Sequence, residues 1–205
     1  MKAIISLGGQ PLSIERFNSV YENGDYIIGV DSGCQFLYNQ NIMPDLILGD
    51  FDSIEKSLLS YYKSQNIPIK IFPVIKNETD GELGFIEGSK IANELLIIGT
   101  GGLSEIDHFL GNVFLLTRYP NATIVLEEEW INVLEKGKHM VNKEKGDSIS
   151  FLPLESTHLI LIGFDYDGNI KTEVGHIITL RNRIKEFEAK IEILEGKMLL
   201  IQGKK

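Results

Sequence analysis

The stretch Leu46–Ser53 has the sequence LILGDFDS and decides the expected fold. Its apolar start, Leu46–Leu48, predicts a buried strand, and Asp50 and Asp52 follow where that strand gives way to a loop. In an open α/β sheet, ligands bind outside the carboxyl ends of the strands. The stretch therefore predicts an α/β sheet with two acidic side chains at its ligand-binding edge.

Three more acidic residues occupy similar places along the chain. Asp31 follows the apolar run Tyr26–Val30, Asp80 opens an expected helix, and Asp107 comes shortly after Leu96–Gly99. Carboxylates gathered at strand ends repel each other unless a cation joins them. Mg²⁺ carrying a polyphosphate is the natural candidate, because this hard ion takes oxygen ligands and is bound through one or two carboxylates.

The first part of the chain, residues 1–127, alternates short apolar runs with longer amphipathic segments. The expected strands are Ala3–Leu7, Tyr26–Val30, Leu46–Leu48, Ile69–Phe72, Leu95–Ile98 and Ala122–Leu126. The expected helices are Gly33–Gln40, Ile54–Gln65, Thr79–Asn93 and Asp107–Arg118, with Ser53 and Thr79 as N-caps. Strand–helix alternation implies right-handed crossovers, so we expect an α/β N-terminal domain with a mostly parallel sheet.

Residues 128–205 show a different pattern, in which short apolar segments are separated by turn residues. The expected strands are Ile131–Glu135, His139–Val141, Ser148–Leu152, His158–Ile162, Ile177–Leu180, Ile191–Leu194 and Met198–Ile201. Hairpin turns are expected at Lys136-Gly137, Asp167-Gly168 and Glu195-Gly196, and strand and loop over the charged segment Arg181–Lys190. This pattern predicts an all-β, antiparallel, sandwich-like or small-barrel C-terminal domain, with the boundary near Glu127–Glu129.

Composition narrows the classes of function. The formal charge of −9 and the pI of about 5.0 argue against a nucleic-acid surface, which needs clustered Lys and Arg. The single cysteine, Cys34, excludes an intramolecular disulfide and a four-thiolate zinc site, and it favours a reducing, cytoplasmic setting. No apolar run approaches the roughly 18 residues of a membrane span, and Met1–Leu7 is interpreted as the first strand, not a signal peptide.

Each candidate site residue also has a structural explanation. Gly8-Gly9 and Gly99–Gly102 follow strands where backbone N–H groups can approach a phosphate, but each stretch by itself is more typical of a tight turn. Lys76 is a candidate phosphate partner. Asp80 and Asp107 are also favoured at helix N-termini by the helix dipole alone.

Four blocks of the sequence, taken in order, resemble the thiamine pyrophosphokinase family. These blocks are Asp31–Gly33, Pro44–Ser53, Lys76–Asp80 and Gly101–Asn112. Weaker similarity continues through Gly146–Leu154 and Thr179–Asn182, so the resemblance spans nearly the whole chain. The Pro44–Ser53 block is highly specific, whereas the C-terminal matches are not.

The resemblance implies a homodimer that transfers the β,γ-pyrophosphoryl group of ATP to thiamine with Mg²⁺, releasing AMP. It implies a catalytic nucleotide- and Mg²⁺-phosphate-binding domain over residues 1–127, and a β-sandwich over 128–205 that contributes to the thiamine site and to dimerisation. The implied catalytic and metal residues are Asp50, Asp52 and Asp80. The implied substrate-binding residues are Asp31, Lys76, Thr79, Gly101, Gly102, Asp107, which would face the aminopyrimidine, and Asn182.

The sequence also departs from the family pattern. Leu103–Ile106 lengthens the loop before Asp107 and lacks the family's arginine, and Arg181 replaces a serine. If a cation assists the reaction, Lys76 or Arg181 is a candidate to supply it. The alternatives are a binding homologue that has lost turnover, and an Asp-x-Asp metal-dependent phosphatase, whose motif normally follows the first strand of the chain.

Overall fold

The computed structural model describes residues 1–52, 54–102 and 106–204. The chain divides into two compact units, Met1–Glu127 and Glu128–Lys205. Within the part of the chain that the structure describes, no helix combines the length and the apolar character needed to cross a bilayer.

The first unit has a sheet of six parallel strands. They are β1 (Ala3–Ser6), β2 (Tyr26–Val30), β3 (Leu46–Gly49), β4 (Ile69–Ile71), β5 (Leu95–Ile98) and β6 (Ala122–Val125). Their order is β6-β5-β1-β2-β3-β4, with parallel pairing throughout. Strands β1, β3 and β5 are buried along their whole length, which explains why their sequences are continuous apolar runs without alternation. The predicted parallel α/β sheet is confirmed.

Five helices accompany this sheet among the described residues. They are α1 (Ile14–Val20), α2 (Gly33–Asn39), α3 (Lys56–Ser64), α4 (Asp80–Ser89) and α5 (Ile106–Leu115). Thr79 is the N-cap of α4 and accepts a hydrogen bond from the N–H of Glu82, as predicted. The predicted N-cap Ser53 lies outside the described residues, and α3 begins after Glu55.

The helix ends correct the sequence prediction. Helices α4 and α5 are shorter than expected because their last turns tighten to bonds between residues three apart. The N–H of Ile91 donates to Gly88 O at 3.0 Å, and the N–H of Arg118 donates to Leu115 O at 2.9 Å.

Helix α1 was not predicted from the sequence. Ser13 caps it, and Glu127 accepts hydrogen bonds from both the backbone N–H and the hydroxyl of Ser13, at 2.9 and 2.6 Å. The charge run at Glu127–Glu129 is therefore more than a solvated segment, because Glu127 holds the start of this helix.

The second unit has two antiparallel sheets that share one core. One sheet has the order β12 (Asn182–Arg183), β9 (Ser148–Pro153), β14 (Met198–Gly203), β7 (Glu129–Leu134); the other has the order β11 (Gly168–Thr172), β10 (Thr157–Ile162), β13 (Glu188–Glu195), β8 (Gly137–Asn142). Phe151 and Leu200 of the first sheet lie in the same buried cluster as Leu159 and Ile191 of the second. The predicted antiparallel sandwich is confirmed, as is strand and loop over Arg181–Lys190.

Three local predictions in this unit are wrong. Ile177–Leu180 is not a strand; Ile177 and Ile178 are 65% and 71% exposed, in a turn. Lys136-Gly137 and Glu195-Gly196 are not hairpin turns, because the strands on either side belong to different sheets. A glycine turn is a local signal, and it does not specify whether the chain returns to the same sheet or crosses to the opposite one.

The third expected hairpin exists but has a longer loop. Strands β10 and β11 are antiparallel neighbours, with Leu161 opposite Gly168. The connection between the strands therefore covers residues 163–167, where the Asp167 carboxylate accepts a hydrogen bond from the N–H of Phe164 at 2.7 Å.

Cys34 belongs to a buried cluster beneath helix α3. Its side chain is fully buried, and burial, with a contribution from the Asp31 charge, raises the pKa of the thiol to about 12. The Tyr62 hydroxyl donates a hydrogen bond to the Cys34 carbonyl at 2.9 Å. The expected role of Cys34 as a small packing residue fits this environment.

Candidate active site

Asp31 lies immediately after β2, where the carboxyl ends of the parallel strands meet. Its backbone adopts a left-handed φ of 45°, and its N–H donates to Leu48 O of β3 at 2.8 Å. Gly49 closes the same edge from β3, with a φ of 146°. A Cβ atom at Gly49 would lie 3.1 Å from the Asp31 Cβ, so glycine permits the close approach of these two strand ends.

The Asp50-Phe51-Asp52 turn brings three carboxylates together. Phe51 has a left-handed φ of 57°, and the N–H of Asp52 donates to Asp50 Oδ1 at 3.2 Å. As a result, carboxylate oxygens of Asp31, Asp50 and Asp52 all lie within 4.8 Å of one another. Carboxylate oxygens are the hard donors that Mg²⁺ takes, so the chemistry of this donor set suits that ion.

Lys76 places a positive charge beside this cluster. Its Nζ lies 3.2 Å from Asp50 Oδ2 and 3.3 Å from Asp80 Oδ1, and it donates to Pro73 O at 3.1 Å. Burial alone would lower the pKa of Lys76, but Asp50 and Asp80 outweigh that effect and raise it. The ammonium group is therefore charged at neutral pH.

Asp50 is affected in the opposite direction. Burial alone would raise the pKa of its carboxyl group, but the N–H of Asp52 and the Lys76 ammonium outweigh burial and lower it. Asp50 is therefore ionised at neutral pH, in the form that binds a cation.

Asp80 lies beside Lys76 and not within the three-carboxylate cluster identified among the described residues. It is the first residue of α4, and Thr79 directly before it uses its hydroxyl oxygen to cap that helix. The metal role of Asp80 and the substrate role of Thr79 stay predictions. The strand-end pattern predicts that Asp31 lies beside Asp50 and Asp52, and the structure groups these three carboxylates. The substrate-binding role that the resemblance implies for Asp31 stays a prediction.

The two glycine-rich loops lie side by side after β1 and β5. The N–H of Gly9 donates to Gly99 O at 2.7 Å, and the N–H of Gln10 donates to Gly101 O at 2.5 Å. These bonds give the loops a structural role as paired turns. The expected substrate roles of Gly101 and Gly102 stay predictions, and Leu103–Glu105 lies outside the described residues.

Asp107 lies in the first turn of α5. Its Oδ1 accepts a hydrogen bond from the N–H of His108 at 2.9 Å. This is the arrangement that the helix-start explanation predicts, so the structure leaves the expected thiamine contact of Asp107 as a prediction.

Asn182 belongs to the second unit, where its side chain is almost entirely occupied by local hydrogen bonds. Its Oδ1 accepts from the N–H groups of Tyr166 and Arg183, at 3.1 and 2.9 Å, and its Nδ2 donates to Tyr166 O at 2.9 Å. The residue is 4% exposed and lines the floor of a cavity of about 340 Å³ with Tyr166 and Leu180. A role in binding thiamine stays a prediction, and any direct contact would use the remaining Nδ2 hydrogen.

Two features of the site were not foreseen from the sequence. Gly49 permits the contact between strand ends, and the Pro73 carbonyl holds Lys76. The signal for Gly49 is its position immediately before two acidic residues. Nothing in the sequence near Pro73 indicates that its carbonyl faces Lys76, because the contact depends on the path of the loop after β4.

These observations define an α/β protein with a cluster of three carboxylates at the edge of a parallel sheet. A family model described as "Thiamin pyrophosphokinase, catalytic domain" matches residues 17–126, more than half of the 205 residues. The chain therefore belongs to the thiamine pyrophosphokinase family, which confirms the resemblance seen in its sequence.

Individual relatives agree with this assignment. Thiamine pyrophosphokinase 1 of Arabidopsis thaliana is 29% identical over 166 residues, which cover 73% of this chain and 61% of the plant protein. The chain thus spans about 61% of the length of that relative.

Solved structures share the fold over the whole chain. The crystal structure of thiamine pyrophosphokinase from Bacillus subtilis has a TM-score of 0.89 at 24% identity, covering 100% of this chain and 99% of that one. A thiamin pyrophosphokinase family protein from Enterococcus faecalis has a TM-score of 0.84 at 25% identity, covering 100% of both chains.

Proposed function

We propose that this protein catalyses the Mg²⁺-dependent transfer of pyrophosphate from ATP to thiamine, giving thiamine diphosphate and AMP. The observation that supports this most directly is the convergence of Asp31, Asp50 and Asp52, with carboxylate oxygens within 4.8 Å of one another. The family assignment and the names of the relatives support thiamine and ATP as the substrates.

The residues of the cluster have distinct parts in this proposal. Asp50 and Asp52 hold Mg²⁺, with Asp31 beside them; Asp80 is the further metal residue implied by the family. When bound, Mg²⁺ neutralises the charge that builds up on the phosphate oxygens. Pyrophosphoryl transfer needs little other than position and charge, so fixed carboxylates at a rigid sheet edge suit the reaction.

Lys76 supplies the permanent positive charge of the site. Its side chain is only 10% exposed and contacts both Asp50 and Asp80, so the ammonium group is held in place before a substrate arrives. In the proposed reaction it faces a phosphate oxygen. Lys76 thereby replaces the arginine that the family has in the loop before Asp107. Residues 103–106 of this chain include no arginine or lysine.

The two units have different parts in the proposal. Residues 1–127 bind the nucleotide and the Mg²⁺-phosphate, and they include the proposed contacts of Thr79, Gly101, Gly102 and Asp107. Residues 128–205 contribute to the thiamine site, as supported by the cavity at Asn182 and Tyr166, and to dimerisation.

We also propose that the protein is a homodimer and acts in the cytoplasm. Ile106, Leu110 and Phe114 recur at helical spacing on α5 and are 51%, 46% and 62% exposed, as expected for a face that is covered by another chain. The single cysteine suits a reducing compartment. Sedimentation equilibrium that shows only monomer at micromolar concentration would exclude the dimer.

The reaction is tested by following AMP release from ATP and Mg²⁺ with and without thiamine. We expect AMP only when thiamine is present, with an equal amount of thiamine diphosphate, and no turnover in excess chelator. Phosphate release without thiamine would indicate a phosphatase. Binding of both ligands without AMP release would indicate a homologue that has lost turnover.

Asp52→Asn tests the role of the cluster. We expect this variant to lose turnover while its circular dichroism spectrum stays that of the wild type, because Asp52 is exposed and its removal leaves the core unchanged. Glu15→Gln, which neutralises an exposed acidic residue on α1, is the matched control and should keep full activity. Wild-type turnover of Asp52→Asn would remove Asp52 from the mechanism.

A further inference from the structure

Phe51 lies between two carboxylates of the cluster but packs in the opposite direction, into the protein. It contacts the buried cluster formed by Cys34, Ile47, Leu58 and Tyr62. Its φ of 57° is a left-handed conformation that bulky residues rarely adopt. A residue keeps such a backbone only where its surroundings determine it, and here the surroundings are the packing of the ring.

The same buried cluster also supports the turn that bears Asp31. Cys34 donates its N–H to Asp31 O at 3.0 Å, and the Cys34 carbonyl accepts a hydrogen bond from the fully buried Tyr62 hydroxyl. The turn after β2 and the turn after β3 therefore both contact one set of residues, the first through the backbone of Cys34 and the second through the Phe51 ring. Phe51 is the member of that set that lies within the acidic turn itself.

We propose that Phe51 is a positioning residue for cation binding. Its packed ring holds the turn in the left-handed conformation in which Asp50 and Asp52 face Asp31, and the hydrogen bond from the Asp52 N–H to Asp50 Oδ1 is part of the same turn. Without the ring, the turn is free to separate the carboxylates. This inference rests on the proposed function only in assigning the cation site to pyrophosphoryl transfer.

The backbone conformation and the ring can be separated by two substitutions. Phe51→Gly removes the ring but makes the left-handed backbone easy to adopt, because glycine populates positive φ readily. Phe51→Leu retains an apolar side chain that can enter the buried cluster. Leu59→Ala is the matched control, since Leu59 packs against the same cluster from α3 and lies outside the acidic turn.

The test measures binding of Mn²⁺ alone, by electron paramagnetic resonance, on the full-length protein without nucleotide. We expect Phe51→Gly to weaken Mn²⁺ binding by roughly 10-fold or more, the loss typical when a group that orients metal ligands is removed. Phe51→Leu should recover most of that affinity. Leu59→Ala leaves the Asp50–Asp52 turn in place, so its Mn²⁺ affinity should be within about twofold of the wild-type value. We expect this even if its melting temperature falls as far as that of Phe51→Gly.

Three results would overturn the inference. They are wild-type Mn²⁺ affinity in Phe51→Gly, an equal loss of affinity in Leu59→Ala, and the absence of Mn²⁺ binding by the wild type. AMP release measured in parallel separates this inference from the proposed function. The expected Mn²⁺ pattern without thiamine-dependent AMP release would refute only the proposed function, and normal turnover with unchanged Mn²⁺ affinity in Phe51→Gly would refute only the role of Phe51.

Discussion

Gly49 has no side chain, and this permits the close approach of the strand ends that bear Asp31 and Asp50. Its φ of 146° disfavours other residues, and an added Cβ would lie 3.1 Å from the Asp31 Cβ. We expect Gly49→Ala to destabilise the protein by more than about 1 kcal/mol, because alanine is strained at positive φ. It should also weaken Mn²⁺ binding, since the strand ends must move apart.

Gly24→Ala is the control for this prediction. Gly24 also has a positive φ, of 97°, but a Cβ there would meet nothing within 4 Å. The free energy of unfolding of Gly24→Ala in urea should therefore reflect backbone strain alone, and its Mn²⁺ affinity should equal that of the wild type. Wild-type Mn²⁺ affinity in Gly49→Ala would contradict the prediction.

The Lys76–Asp50 ion pair predicts how stability depends on pH. The folded-state pKa of Asp50 is lowered, so its contribution is present above the unfolded pKa of about 3.9 and is lost as pH falls through the folded value. The pKa of Lys76 is raised, so its contribution is present below about 10.4 and is lost as pH rises through the folded value. The pair therefore favours the folded state between these limits.

Lys76→Met removes this pair. We expect the urea midpoint of the variant to fall at neutral pH and to decline less than that of the wild type at both acid and alkaline pH. Lys56→Met, at an exposed position, should leave the profile unchanged. An unaltered pH profile in Lys76→Met would show that the ion pair does not stabilise the protein.

For individual residues, the sequence was sufficient to predict the positions of the acidic residues at strand ends. It was not sufficient to predict contacts between residues distant in the chain. Asp31, Asp50 and Asp52 could be placed together because parallel strands end at one edge. The hydrogen bonds of Asn182 to Tyr166 could not, because they join a two-residue strand to a loop about sixteen positions earlier in the chain. The same reasoning applies to the packing of Phe51, whose direction depends on a turn conformation that its residue type disfavours.

Two helices offer a matched pair of glycines for measuring how closely a helix packs on the sheet. In α4, a Cβ at Gly84 would lie 2.8 Å from Ile5 Cγ2 and 3.0 Å from Val30 Cγ2, whereas in α5 a Cβ at Gly111 would meet nothing within 4 Å. Alanine favours a helix over glycine by about 1 kcal/mol at either position.

We therefore expect Gly111→Ala to stabilise the protein by up to about 1 kcal/mol. Gly84→Ala should lose that gain because overpacking a core costs about 1–3 kcal/mol. The difference between the two free energies of unfolding in urea isolates the crowding at Gly84. Equal stabilisation by both substitutions would show that α4 can move away from the sheet without cost.

Helices and strands with many buried apolar residues could be predicted from the sequence. Those with few buried residues could not. Strands β2 and β5 have the predicted ends because each is an apolar run bounded by acidic residues or glycine. The sequence pattern does not indicate helix α1, because this helix buries only Phe17 and Val20, too few positions to show a helical period. The apolar run Ile177–Leu180 predicts a strand that the structure does not contain, because an apolar run alone does not indicate whether a partner strand exists.

For the whole molecule, binding of MgATP should appear as thermal stability. A ligand at 100 times its dissociation constant stabilises the folded state by about 2.7 kcal/mol. For a chain of this size, that corresponds to a rise in melting temperature of roughly 5–10 °C. Chelator should reverse the rise, and Asp52→Asn should show little of it. A rise in melting temperature of the same size in Asp52→Asn would show that MgATP binds away from the three carboxylates.

The architecture of each unit could be predicted because it follows from the length and spacing of the apolar segments. Buried parallel strands give unbroken apolar runs, whereas sandwich strands alternate, as in Ser148–Pro153 with its alternating burial. The assignment of strands to the two sheets of the sandwich could not be predicted. It depends on which long-range pairs form, and the turn sequences do not encode that choice.

The buried position of Cys34 makes the protein suitable for labelling at an introduced cysteine. Cys34 is the only thiol in the sequence, it is fully buried, and its raised pKa keeps it in the unreactive, protonated form. A cysteine introduced at an exposed position outside the proposed dimer face, such as Lys56 on α3, would be the single site open to a maleimide dye. Fluorescence from that one label could then report subunit exchange or ligand arrival without first having to delete a native cysteine.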